Sequence, residues 1–192
     1  MGQNNGKAHK PSMGSLFGIS TIYGRAGEHD EPYMTRIWFG RLRLHIFHRG
    51  DNDPDCHDHP WDFWTFPLTP YVEEVLVAIR DAIPEGTTPR PQRYQRVRQV
   101  VPAFQWTFRK ATHTHRVLGP VGDEVVQAVA KAMRLPSEML PAIGNGKIVT
   151  VVWRGKGERP WGFMKDREGR WCWVAWKEYV LGGGKDGPCG HE

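Results

Sequence analysis

A chain of 192 residues with a net charge of +5 is long enough for one domain with a sizeable core and too short for two of ordinary size. Its 39% hydrophobic and 24% charged residues, with 22 glycines and 15 prolines, exclude a long-helical protein and favour a turn-rich, β-rich one. No apolar run approaches the ~20 residues that cross a bilayer, and the amino terminus MGQNNGKAHKPSMG lacks the apolar stretch of a signal peptide, so a cytoplasmic protein with no membrane partner is expected. Cys56, Cys172 and Cys189 are too scattered for a disulfide framework, and reduced thiols are expected.

Residues 1 to about 26 are rich in Gly, Asn, Ser and Lys without periodicity, and 1–32 is assigned as a flexible arm. From Arg36, IWFGRLRLHIFHR alternates, with Leu42, Leu44 and Ile46 on one face and Arg41, Arg43 and His45 on the other, as in a half-buried strand. DNDPD supplies turn chemistry, and CHDHPWDFWTFPL reads as a second strand interrupted by Pro60, which cannot donate to a ladder. Residues 71–83 fit either period and are expected to run from strand into a short helix. Two more strands are expected in RYQRVRQVV and AFQWTFRKATHTHRVL. Between Gly122 and Arg134 the period becomes helical, so 122 to about 140 is expected to be a helical insertion. β character returns in KIVTVVWRG, PWGFM and RWCWVAWKEYV, before a Gly-rich tail, 182–192, expected to fray.

A pI near 9.2 makes attraction to polyanions unsurprising. The densest basic stretch, Arg90, Arg93, Arg96, Arg98, Arg109, Lys110 and Arg116, is interleaved with Tyr94 and Trp106, which is compatible with nucleic acid. Outward strand positions explain the same residues, and no nucleic-acid-binding signature accompanies them.

The histidines carry the chemical information. His57 with His59, and His113 with His115, are spaced by one residue, and positions i and i+2 of a strand face the same side. Such a pair can aim two imidazoles at one ion such as iron, zinc, nickel or manganese. His45 and His48 lack that alternation, and His9, His29 and His191 lie in the expected arm and tail, so these five are left outside the site. Cys56 adjoins His57 and is turned away from any ion by strand alternation.

At HDHPWDFWTFPLTPYVEE and FRKATHTHRV the sequence resembles the two motifs of the cupins, the first carrying His-x-His and the second a lone His, over roughly residues 36 to 180. RLRLHIFHR, HDHPWDF, HRV and the late WGF resemble more narrowly the small cupin-like proteins of bacterial and bacteriophage genomes. The resemblance implies an all-β double-stranded β-helix, a jelly-roll-like barrel, over 33–181, with His57, His59 and His115 as metal ligands. Two departures stand out. Where many cupins place a ligating Glu there are Phe63 and Trp64, and the Pro-Gly entry to the second motif is missing. The implied set is therefore three histidines, as in thiol dioxygenases of the superfamily, or three with Asp62 as a further candidate; His113 stands as a neighbouring or alternative ligand.

Three histidines without a carboxylate favour Fe(II) among divalent transition metals, with Zn, Ni or Mn as alternatives. Trp61 is expected at the pocket mouth, and Arg116, next to His115, is a second pocket candidate. Three functions remain open: a mononuclear non-haem oxygenase acting on a small polar molecule, a non-catalytic binding or structural module, and a sugar or nucleotide-sugar isomerase with a histidine base. A small-molecule ligand is expected in each, and a homodimer is admitted. Fold alone does not choose.

Overall fold

The computed structural model describes residues 16–23, 31–79, 93–122, 146–157 and 159–189. Twelve strands form two six-stranded sheets in which every pairing is antiparallel. The first sheet runs β1 (Phe17–Ile22), β2 (Met34–Phe39), β3 (Leu42–Phe47), β10 (Ile148–Arg154), β5 (Phe63–Pro67), β8 (Thr107–Arg109). The second runs β12 (Arg170–Ala175), β11 (Gly162–Arg167), β4 (Cys56–His57), β9 (His115–Pro120), β6 (Tyr71–Ile79), β7 (Arg93–Val101). From β3 onward the chain crosses repeatedly between the sheets, the jelly-roll arrangement of a double-stranded β-helix. One short helix, α1 (Trp176–Leu181), closes the described fold.

Several sequence assignments change in detail. IWFGRLRLHIF is a hairpin, not one strand, because Gly40 at φ 57° folds β2 back on β3 with Phe39 opposite Leu42. The CHDHPWDFWTFPL segment divides at the Asp58–Asp62 loop, so that β4 and β5 lie in different sheets. β6 stays extended to Ile79, and the helix expected after it, like the helical insertion expected over 122 to about 140, lies outside the described residues. AFQWTFRKATHTHRVL likewise contains two strands, β8 and β9, again in different sheets.

The segment assigned to an amino-terminal arm contains β1, which pairs with β2 along its whole length. Gly18 is the residue that permits it: the Trp38 ring occupies the space a Cβ there would need. The carboxy-terminal segment assigned as a frayed tail is held through its described part. Lys165, 1% exposed, donates to the carbonyls of Gly184 and Gly187, and Arg167 donates to that of Lys185 at 2.6 Å. Cys172 and Cys189 form a disulfide, which corrects the expectation of reduced thiols. Seventeen residues apart in sequence, their Cα atoms come within 5.7 Å because α1 turns the chain back over β12. Cys56 is a buried free thiol, and burial raises its pKa to about 12. No described helix is long and apolar enough to cross a membrane.

An apolar cluster of Tyr71, Val101, Val117 and Ile148, with Phe47 against it, fills one end between the sheets. Elsewhere the first sheet reverses the usual arrangement. Arg43, His45 and Phe47 of β3 line the interior cavity, whereas Leu42 is 40% exposed. Leu42 belongs to a row of register partners, Phe17, Phe39, Leu42, Trp153, Trp64 and Phe108, that crosses all six strands on the outer face.

The second sheet is tied to α1 by Asp55, which is fully buried and accepts from Arg167 Nη2 at 2.9 Å and the Tyr179 hydroxyl at 3.0 Å. Removing a buried carboxylate leaves its cation and hydroxyl unpaired. Asp55→Ala is expected to lose ~3 kcal/mol of stability in urea unfolding; a loss below ~1 kcal/mol would mean that water replaces the carboxylate at this junction.

Candidate metal centre

Strand register brings the histidines together. His57 on β4 is directly opposite His115 on β9, which places their Cβ atoms ~5 Å apart. His59 follows in the loop, where its backbone N–H donates to the Ala111 carbonyl at 2.9 Å. Asp58, between them, points the other way: its Oδ1 accepts from the Gly162 N–H at 2.7 Å, and its Oδ2 from Arg159 at 2.7 Å and the Trp173 indole at 3.2 Å. With the Asp58 carboxylate held by these donors, His57 and His59 are the side chains of this segment left facing the cluster. One nitrogen from each of His57, His59 and His115 lies within 4.8 Å of the other two.

The His115 tautomer follows from its neighbour. His115 Nδ1 is 2.7 Å from Glu73 Oε2, so it donates there and leaves Nε2 for the cluster. His57 Nδ1 lies 3.6 Å from Asp51 Oδ2, within ion-pair range but beyond a hydrogen bond. His59 Nε2 is buried with no hydrogen-bond partner. A buried imidazole nitrogen without a hydrogen-bond partner beside two others is a donor set that a cation would satisfy. The residues therefore fit a metal.

Burial keeps the His59 and His115 rings neutral. It holds His59 well below the ordinary imidazole value, and the adjacent His115 and His57 add to the effect. Burial brings His115 to about 4 against the pull of Glu73 in the other direction. Burial alone would raise Glu73, but the nearby His113 and His115 rings and the charge of Arg109 outweigh it and keep the carboxylate ionised. Neutral imidazoles offer lone pairs at neutral pH.

A second grouping, Glu73 with His113 and His115, also has ligand spacing. Its chemistry is different. Glu73 is fully buried and already accepts from Arg109 at 2.8 Å and Gln99 at 2.7 Å, and a guanidinium inside that shell repels a cation. His113 sits in the turn before β9, with its N–H on the Lys110 carbonyl and its Nε2 2.9 Å from Arg109, and it does not line the main cavity. Asp62 is placed elsewhere as well: its carboxylate accepts from the Ala111 N–H at 2.6 Å. Arg116, alternating with His115, faces outward and donates to Glu74 at 2.9 Å and to the Asp53 carbonyl. Trp61 does line the cavity, 6.3 Å from His59 between ring centres.

The cavity between the sheets holds about 480 Å³. Phe63 packs on His59 at 4.6 Å, and Trp161 and Phe163 flank His57 at 6.1 and 5.7 Å. Phe63 thus fills one of the positions where a ligating Glu was looked for. His45, set aside on sequence because it has no partner at i+2, lines this cavity with its Nε2 buried and unpaired. Its location was hidden because nothing in an alternating pattern says which face is the interior. The basic stretch considered for nucleic acid is largely matched internally, Arg96, Arg98 and Arg116 by Glu74 and Arg109 by Glu73.

Neither a known family nor a curated protein matches the chain. Among solved structures it is similar to Fe(II)-HppE with the alternative substrate (S)-1-HPP, at 9% identity and a TM-score of 0.39, over 76% of this chain and 62% of that one. It is also similar to the DMSP lyase DddQ from Ruegeria pomeroyi DSS-3, at 14% identity and a TM-score of 0.32, over 81% and 55% of the two chains. Likenesses this distant leave the site to be judged on its own geometry.

A folded-state pKa below the unfolded value means that the native chain binds fewer protons than the unfolded one between the two values. For His45, His59 and His115 that stability is present above about 6.5 and is lost as pH falls towards the folded values, near 4 for His115. Each such group steepens the loss by up to ~1.4 kcal/mol per pH unit. The urea midpoint of the metal-free chain is expected to fall between pH 7 and 5, and His45→Gln to reduce the fall. Equal slopes in the two proteins would show that His45 titrates as it does in water.

Proposed function

We propose that the chain is a cupin-type metal protein in which His57, His59 and His115 hold one divalent transition ion at the edge of an enclosed cavity, and that it acts on a small polar molecule. The observation that carries this is the unpaired, buried His59 Nε2 facing two imidazoles whose outer nitrogens are directed to carboxylates. Three protein ligands are the count of a reactive site, since a structural one is usually closed by four. A bound ion, Fe(II) for preference with Zn, Ni or Mn as alternatives, would be held by His57, His59 and His115 and would supply Lewis-acid or redox chemistry there. Oxygenase activity is therefore the favoured chemistry.

The remaining work belongs to the chain. Glu73 fixes the proton on His115 Nδ1 and sharpens the donor strength of Nε2. Phe63, Trp161 and Phe163 surround the imidazoles and exclude water. Trp61, with the Arg154 guanidinium 5.9 Å from its ring centre, forms part of the cavity wall on the His59 side.

A metal-free reading has one observation in its favour: the buried His115–Glu73 pair is also the arrangement of a histidine base, as an isomerase would use. Metal content separates the two. Protein purified without added metal should carry about one ion per chain, as measured by mass spectrometry. His57→Ala and His115→Ala should lose most of it, and His113→Ala should keep it. A wild-type chain that stays metal-free in the presence of Fe(II), Zn, Ni and Mn would overturn the metal reading and leave the base.

The Glu73 role has its own measure. Glu73→Gln keeps the shape but weakens the bond that orients His115, and second-sphere changes of this kind typically cost about 10- to 100-fold in metal affinity. The variant should fold and bind the ion more weakly by that factor; unchanged affinity would reduce Glu73 to a structural partner of Arg109.

A further inference from the structure

The wall opposite the histidine sheet is cationic. Arg36 on β2 and Arg43 on β3 both line the cavity, and His45, the register partner of Arg36, follows Arg43 by two residues on the same face of β3. Among the described residues neither arginine has a carboxylate partner. Arg43 donates to the carbonyls of Gly40 at 2.8 Å and Leu42 at 3.2 Å, while Arg36 Nε is buried and makes no hydrogen bond. Every carboxylate bordering the cavity is engaged elsewhere: Asp51 faces His57, Asp53 pairs with Lys185 at 3.0 Å, and Asp58 is held by Arg159 and Trp173.

Two guanidiniums facing one cavity repel each other, and the deeply buried Arg36 bears a desolvation cost that no counter-charge offsets. Burial and that mutual repulsion are the leading causes lowering the pKa of Arg36, and burial with Arg154 does the same for Arg43. Arginine does not escape the cost by losing its proton. His45 cannot supply the missing charge either, since burial and the two guanidiniums hold it neutral. Its unpaired Nε2 adds a hydrogen-bonding group to the same wall.

We propose that Arg36 and Arg43 are the anion-binding end of the cavity and seat the oxyanion, a carboxylate or a tetrahedral phosphate-like group, of a small substrate whose other end lies at the histidine centre. The fork of a guanidinium matches either group in two parallel hydrogen bonds. The ligand supplies the charge that the wall lacks, so selectivity for anions follows from an interaction the empty cavity cannot satisfy. The placement of the substrate's other end rests on the metal reading above; the anion site does not.

The test is calorimetric titration of the full-length metal-loaded chain with inorganic phosphate and with acetate, at constant ionic strength set with chloride. Wild type should bind at least one of them saturably, phosphate marking a tetrahedral oxyanion and acetate a carboxylate. Arg36→Met and Arg43→Met should each weaken that binding by roughly tenfold or more, with metal per chain unchanged. His115→Ala should lose the metal yet keep anion binding. If Arg36→Met fails to fold, as judged by near-UV circular dichroism, Arg43→Met alone carries the test. No saturable binding of either anion to wild type, or unchanged affinity in the arginine variants, overturns the proposal. Loss of anion binding in His115→Ala alone also overturns it, by placing the anion on the metal. A wild type that takes no metal but binds anions through the arginines defeats the metal reading only.

Discussion

The buried carboxylate of Glu73 is the group on which the arrangement of the site depends. Fully removed from water, it is tolerated because three donors converge on it: His115 at 2.7 Å, Gln99 at 2.7 Å and Arg109 at 2.8 Å. Each comes from a different strand or its end, β9, β7 and β8, and β8 belongs to the other sheet. One carboxylate therefore fixes a tautomer and ties the two sheets together. The pairing of β6 with β9 shifts register between Val72 and Glu73, and the bulge sits at Gly119, whose φ of 152° few other residues adopt. Beyond the bulge, Glu73 meets Val117 and Val75 meets His115, which sets the carboxylate beside the ring it orients.

Much of this was legible in the sequence, for reasons that can be stated. The turn-rich composition and repeated period of two imply an all-β chain, and strands fall in the segments read as β at β7 and β10, whereas β6 lies in a segment that fitted either period. His57, His59 and His115 stand out because imidazoles at such spacings are uncommon without a purpose. Strand pairing was not legible. The opposition of His57 and His115 is a fact of register between β4 and β9, and β4 is only two residues long. The His57/His59 pair faces the cluster even though His59 is off the strand, while the Asp58 carboxylate is held by its own donors, and no periodicity contains that information.

The misplacements share a cause. Gly40 and the Asp58–Asp62 loop cut apparently continuous strands, since alternation persists on both sides of a hairpin or a crossover. Arg116 was linked to the pocket by its nearness in sequence to His115, the relation that in a strand sends it to the opposite face. The end segments were judged by composition. Composition gives no warning that a buried lysine needs the carbonyls of Gly184 and Gly187, nor that α1 returns Cys189 to Cys172.

The first sheet explains why polarity misled most at β3. An antiparallel sheet ordinarily turns its apolar face to the core, and on that rule Leu42, Leu44 and Ile46 point inward. Here the row from Phe17 through Trp153 and Trp64 to Phe108 lies outside, while Arg36, Arg43 and His45 lie within, beside Thr65 and Thr150, whose hydroxyls meet at 2.8 Å. The inversion gives up apolar burial on half of the barrel, so the interior is held by polar pairing and by the restricted cluster around Tyr71, Val117 and Ile148. It also sorts charge across the cavity. Glu73 and Asp51 stand beside the imidazoles of the second sheet, where Glu73 orients the Nδ1 donor of His115, and the unmatched guanidiniums face them from the first. A neutral guest would leave that separation uncompensated. One that presents donor atoms to the imidazole side and oxyanion charge to the arginine side would satisfy both walls at once, and that complementarity is the physical argument for reading the inverted sheet and the histidine triad together.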